Sequence, residues 1–225
     1  MNQAMFTAKS TEHAPLEMPQ AMKTPRAAAI AGIISSILLI ISQVLIRISI
    51  PSNPLGPALE VISHSKTISV ALNLLPFAGI SFLWFIAVVR DRLGELEDRF
   101  FATVFLGSGL LYIAMMFVSA ALAGGLIMVL GSGTENLILS GGYALGRAEI
   151  YQATQVYGIK MAGVFMISTC TISLRTRIAP RWMAVLGYAL ALLLLLSIGT
   201  IEWIPLVFPV WVFLISVHIL IENLR

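Results

Sequence analysis

Apolar residues in this chain run in long blocks, and the polar residues gather in the gaps between blocks instead of alternating with the apolar ones. Alternation would point to half-buried strands, and blocks of this length also rule out an ordinary soluble core. A helix rises about 1.5 Å per residue, so roughly 20 apolar residues are needed to cross a hydrocarbon core about 30 Å thick. Six stretches reach or approach that length: 27–50, 67–89, 100 to about 127, 151–174, 182–198 and 204–221. The pattern predicts an all-α polytopic membrane protein, a bundle of six transmembrane helices within residues 27–225. The last two blocks are the shortest. They are separated by GTIEW, residues 199–203, whose glycine and Glu202 predict a tight helical hairpin in place of one very long helix.

Residues 1–26 carry Pro15, Pro19 and Pro25 and show no apolar period, so they read as a disordered cytoplasmic tail. The first block is too long for a signal-peptide core of about 7–15 residues and no A-x-A pattern follows it, so it reads as an anchor. The longest gap, GSGTENLILSGGYALGRAEI at 131–150, holds five glycines. A connection of that length is unusual without a role, and it is a candidate lid or half-inserted segment.

Composition agrees with the block pattern: 58% of residues are hydrophobic and 11% charged, against about 25% charged in soluble domains. The net charge of +3 does not suggest nucleic acid, because the bases sit in small groups at the ends of apolar blocks. Seven of the ten positions from Arg90 to Arg99 are charged. Ten of the fourteen lysines and arginines fall in the N-terminal tail, the second-to-third gap, the fourth-to-fifth gap and the C-terminus; Arg47, Lys66 and Arg147 fall on the other side, and Lys160 falls inside a span. By the positive-inside rule both termini are cytoplasmic, which an even number of spans requires, and the expected location is a bacterial inner, that is plasma, membrane. The cytoplasmic-loop charges Asp91, Arg92, Asp98, Arg99, Arg175, Arg177 and Arg181 then serve topology first, with acids of one loop placed to pair with bases of the other.

Catalytic motifs are missing: the chain has no G-x-x-x-x-G-K-[ST], H-E-x-x-H or G-x-S-x-G string. Cys170 is the only cysteine, which leaves no intrachain disulfide or thiolate cluster, and His13, His64 and His218 are poorly spread for a haem. No metal and no cofactor is expected. Asp91, Arg92, Leu93 and Gly94 form a D-R-x-G tetrad that resembles the loop motif of major facilitator transporters. Ala87 stands where that motif has glycine, however, and Glu95 and Leu96 stand where it has a basic pair. The strings FAGISFLWFIAVVRDRLGELEDRFFATVFLGSGLL, YGIKMAGVFMISTCTISLRTRIAPRW and LGYALALLLLL resemble a bacterial family of six-helix integral membrane proteins known only as a domain of unknown function. That resemblance implies the fold and the membrane location and no activity.

Polar groups within spans are the most informative residues, because they are costly in lipid and mark functional or packing sites. Gln43 and Arg47 are an i,i+4 pair near the outer end of the first span, and Asn73 is near the outer end of the second. Gln152, Gln155 and Lys160 fall within about 140° on the fourth at 100° per residue, and Glu202 lies at the outer face. Lys160 falls near the bilayer midplane, where a lysine costs roughly 2.5–3.5 kcal/mol, and the expectation is that it turns inward toward Asn73, Gln43 and Gln155. Such residues can act as interhelical glue worth about 0.6 kcal/mol each, or line an outward-facing cavity. The expected function is a carrier or sensor of a small-molecule ligand. The alternative is an accessory subunit packed on a membrane-protein partner, and a lipid enzyme ranks third.

Overall fold

A computed structural model describes residues 25–50, 58–93, 99–131, 141–176, 180–197 and 201–222, and every regular element among them is helical. The helices are α1 (Pro25–Ser49), α2 (Ala58–Ser63), α3 (Ser65–Leu93), α4 (Arg99–Gly131), α5 (Gly142–Tyr151), α6 (Ile159–Thr176), α7 (Arg181–Leu196) and α8 (Val207–Glu222). A π-helical segment, Gln152–Gly158, joins α5 to α6 without a break, and a 3₁₀ turn, Ile204–Leu206, leads into α8. Five stretches are long and apolar enough to cross a membrane: Arg26–Ser49, Ser65–Arg90, Phe100–Gly131, Gly142–Arg175 and Ile204–Glu222. Helix α7 is equally apolar but has 16 residues.

Proline and local backbone geometry set several helix ends. Pro180, at φ −64° and ψ 148°, caps α7, and Pro205 stands in the first turn leading to α8, where a missing N–H costs no intrahelical bond. Ser197 turns extended, with ψ at 129°, and ends α7 just before the expected break. Pro76 stands well inside α3 and removes one rung from it, whereas Pro209 falls in the first turn of α8.

In the bundle α1 lies between α3 and α8, α4 between α3 and α6, and α7 packs on α6. Lipid tails are as apolar as leucine, so helices associate through close packing more than through water exclusion. Helix α1 accordingly buries a stripe of small residues, Ala28, Gly32, Ser35, Ser42 and Ser49. Ser35 Oγ donates to the Ala78 carbonyl across the interface at 3.1 Å. A methyl group on Gly32 would strike Ser216, and one on Gly187 would strike Cys170 and come within 2.8 Å of the Trp211 indole nitrogen. Aromatic rings fill the centre. Phe82 is fully buried, with ring centroids 5.2–6.0 Å from those of Phe85, Tyr112, Phe165 and Phe208.

Two contacts define the ends of the bundle. Arg175, at the end of α6, lies with its Cζ 4.9 Å from the Phe101 ring centroid at the start of α4. Arg47, at the end of α1, pairs with Glu202 just before α8. At this second end a smaller apolar cluster joins Ala58 and Val61 of α2 and Ile68 of α3 to Leu126 and Leu130 of α4 and Tyr143 of α5.

The structure corrects the expected third-to-fourth connection. Helix α4 continues to Gly131 and α5 begins at Gly142, so residues 142–150 belong to the long helix of α5 and α6 and not to a lid. Gly141, at φ 77°, takes the left-handed conformation that glycine adopts without strain and turns the chain into α5. The six-residue α2 was not anticipated, being too short for a helical period to show. The tail at 1–24 lies outside the described residues.

Candidate functional site

Where α1 and α4 end and α3 begins, the bundle encloses a cavity of about 430 Å³. Most of its wall is apolar, including Ile46, Leu72, Leu75, Met116, Ile150 and Trp203. Into this wall are set Gln43 and Arg47 from α1, Ser119 from α4, Arg147 from α5, Thr154 and Gln155 from the π segment, and Glu202. A mainly apolar pocket of this size with a few convergent polar groups is the usual form of a small-molecule site.

Helix geometry explains which residues converge. Gln43 and Arg47 are four apart and share a face, as do Arg147, Ile150, Tyr151, Thr154 and Gln155, at successive spacings of three, one, three and one. Arg147 is 5% exposed and donates from Nη1 to Tyr143 Oη at 3.0 Å, one turn back on α5. Gln43 Nε2 donates to Tyr112 Oη at 3.3 Å, and Thr154 Oγ1 donates to Ser119 Oγ at 2.7 Å. Arg47 pairs through Nη2 with Glu202, reaches the Ile50 carbonyl from Nη1 at 3.4 Å, and stacks with its Cζ 5.9 Å from the centre of Trp203.

Three buried polar atoms on lining residues have no hydrogen-bond partner: Gln43 Oε1, Arg47 Nε and Gln155 Oε1. Leaving such groups unsatisfied costs about 1–3 kcal/mol each. Which amide atom each glutamine presents is an assignment, yet either choice leaves a buried polar atom at the same place.

Of the residues singled out from sequence, Gln43, Arg47, Gln155 and Glu202 come together here, while Lys160, Asn73 and Gln152 do not line the cavity. Lys160 is half-buried beyond the π segment. A π turn closes i→i+5 bonds and so holds one residue more than an α turn, which rotates everything after it relative to the 100° advance assumed from sequence. Asn73 is exposed, and its amide bonds back to the Ser69 carbonyl on its own helix at 2.8 Å. Gln152 is exposed as well.

Arg147 was missed, having been read as a loop base. The signal lay in Tyr143, Arg147, Ile150 and Thr154, a helical stripe that crosses the assumed loop boundary. Among the loop charges, Arg175 and Arg181 are exposed, and the side chains of Asp91, Arg92, Asp98, Arg99 and Arg177 lie outside the described residues. Among the described residues no three of His, Cys, Asp and Glu converge. The two guanidiniums of the cavity suit an anion better than a cation, and the open amide oxygens of Gln43 and Gln155 can accept from a neutral polar group. No family model, curated protein or solved structure matches the chain.

Proposed function

We propose that this is a six-span protein of the plasma membrane that binds a small solute in the cavity between α1, α3, α4 and α5, from the side opposite its cytoplasmic termini, and carries or senses it. The observation that supports this most is the convergence of five lining residues that can hydrogen-bond or pair with a ligand, Gln43, Arg47, Arg147, Gln155 and Glu202, at one end of an otherwise apolar bundle. Intramembrane polar groups facing an internal cavity are the common mark of a ligand or ion path. Six crossings are supported by α7. It begins next to the Arg175 end, and the chain after it reaches Glu202 at the Arg47 end. Its 16 residues span about 24 Å, short of the hydrocarbon thickness by an amount that local thinning can absorb.

An accessory subunit would be expected to expose a polar or small-residue stripe to its partner. The exposed face of α3 carries Val70, Phe77, Ile80 and Trp84, which suit lipid. Between Lys66 and Arg90, near its two ends, its exposed polar residues are confined to Ser69 and Asn73, and the Asn73 amide bonds back to the Ser69 carbonyl.

Cysteine accessibility tests the reading. In a Cys170→Ala background, Gln155→Cys should react with a small charged thiol reagent applied from the periplasmic side, and Gly94→Cys only with reagent applied from the cytoplasm. Labelling of Gln155→Cys from the cytoplasm alone would reverse the threading. No reaction from either side would mean that the cavity is closed to aqueous solutes, which favours the accessory role.

A further inference from the structure

The chemistry of the lining narrows what the cavity takes. Its charged residues are two arginines and one glutamate. Both guanidiniums present planar forks of N–H donors in a wall that is otherwise mostly hydrocarbon. Glu202 is carried on the connection that precedes α8, and its side chain is 47% exposed, whereas that of Arg47 is 20% exposed and Arg147 lies deeper still. The carboxylate is therefore the most open of the three charged groups and the Arg147 guanidinium the most buried.

Arg47 uses Nη2 on Glu202 and leaves its buried Nε–H without an acceptor. An oxyanion with two oxygens is the group that answers a guanidinium edge, because two parallel N–H···O bonds match its geometry. Gln43 and Gln155 leave amide oxygens without partners in the same wall; these accept from a ligand donor, and only with the amide turned over would an NH2 face the oxyanion. Beyond these groups the wall offers Leu72, Leu75, Met116 and Ile150, which can only receive an apolar body.

We propose, building on the solute-binding reading above, that the cavity binds an organic monoanion with a compact apolar body. Its carboxylate or equivalent oxyanion lies between Arg47 and Arg147, and Glu202 acts as the resident counter-anion of Arg47 that the ligand competes with. An amphipathic anion can arrive from water as a free acid or from the bilayer as the headgroup of an anionic lipid. Both present the same oxyanion to the same guanidiniums. Glu202 then has a role that helix packing alone would not give it: removing its charge strengthens ligand binding instead of weakening it.

The test uses the full chain in nanodiscs and three probes of one shape: phenylacetate, 2-phenylethylamine and 2-phenylethanol. Binding is followed by thermal stabilisation and by calorimetry, in discs of phosphatidylcholine alone and in discs containing phosphatidylglycerol. Phenylacetate should bind at least tenfold more tightly than the amine or the alcohol in phosphatidylcholine discs. Arg47→Met and Arg147→Met should each reduce that affinity at least tenfold, and Glu202→Gln should raise it several-fold. Glu202→Gln keeps the test decisive if an arginine variant fails to fold. If phosphatidylglycerol itself stabilises the wild type but not Arg47→Met, and displaces phenylacetate, the anion is a lipid headgroup and the chemistry is upheld. If the alcohol or the amine binds as well as the acid, the anion assignment is overturned while a solute cavity survives. If none of the three binds in either disc, the anion assignment falls, and the cysteine labelling above decides separately whether aqueous solutes reach the cavity at all.

Discussion

In the half of the bundle nearer Arg175, several hydroxyl groups turn back onto their own helices, although Ser35 reaches the Ala78 carbonyl at 3.1 Å and Thr171 meets Tyr188 Oη at 2.7 Å across helices. Ser108 donates to the Val104 carbonyl at 2.6 Å, Ser168 to Val164 at 3.1 Å, and Thr169 to Phe165 at 2.8 Å, each four residues back. At the other end the polar groups reach across: Gln43 to Tyr112, Thr154 to Ser119, Arg47 to Glu202, with three further atoms of the lining left without partners. A hydroxyl that back-bonds is satisfied in any helix in lipid and adds nothing specific between helices. Groups that bridge helices or remain unsatisfied fix an arrangement or await a partner. Buried atoms without a hydrogen-bond partner occur outside the cavity too, at Ser42 Oγ, Ser49 Oγ, Trp211 Nε1, Ser216 Oγ and His218 Nε2, but none of those residues lines it. What sets the cavity half apart is thus not the number of unmet hydrogen-bonding atoms but their placement around one open volume.

The largest expected effect lies in the packed half. Phe82 touches four other rings and has no exposure, so Phe82→Ala removes the common member of the aromatic centre. A loss on the order of 3 kcal/mol is expected, as for large-to-small changes in packed cores, measured by titrating the purified protein from mild detergent into sodium dodecyl sulfate. A loss below about 1 kcal/mol would mean that the centre repacks freely and that the two halves differ less than their geometry indicates.

Sequence reading reached the helices far better than the site, and particular residues show why. Uninterrupted apolar runs locate the long helices because lipid demands both the length and the composition. The break at 199–203 could be read from Glu202 and its glycine, and α7 does end before it. Gln43, Arg47, Gln155 and Glu202 stood out as polar groups at similar depth, and they do share a cavity. Arg147 did not, since five glycines in 131–150 depress helix propensity and hydropathy together, and α5 is held by contacts with α4 that no local pattern reveals. The π segment has no compositional mark at all, and it is what separates Lys160 from the register of Gln155.

The next effect in size concerns how closely helices approach. A methyl group at Gly187 would collide with Cys170 and meet Trp211 at 2.8 Å, contacts that join α7 to α6 and α8. Gly187→Ala should therefore cost about 1–3 kcal/mol by overpacking. Adding Cys170→Ala should recover part of that loss by vacating the space the new methyl group takes. Equal stability of the single and double variants would show that the contact with Trp211 alone sets the cost.

The smallest effect is the one that separates the halves most sharply. Gln155 sits in the cavity wall with a buried amide oxygen that nothing satisfies. Leucine has nearly the same size and needs no partner. Replacing an unsatisfied polar group by an apolar one removes a desolvation penalty while sacrificing no hydrogen bond from that atom. Gln155→Leu should leave stability unchanged or raise it by up to about 1 kcal/mol in the same detergent titration. Thr169 in the packed half, by contrast, already spends its hydroxyl on Phe165, and Thr169→Val can only lose that bond. The pair of substitutions therefore moves in opposite directions if the cavity half holds polar groups for a ligand. Should Gln155→Leu instead cost more than about 1 kcal/mol, Gln155 is structural glue between helices, and the cavity is better read as an imperfectly packed interface than as a binding site.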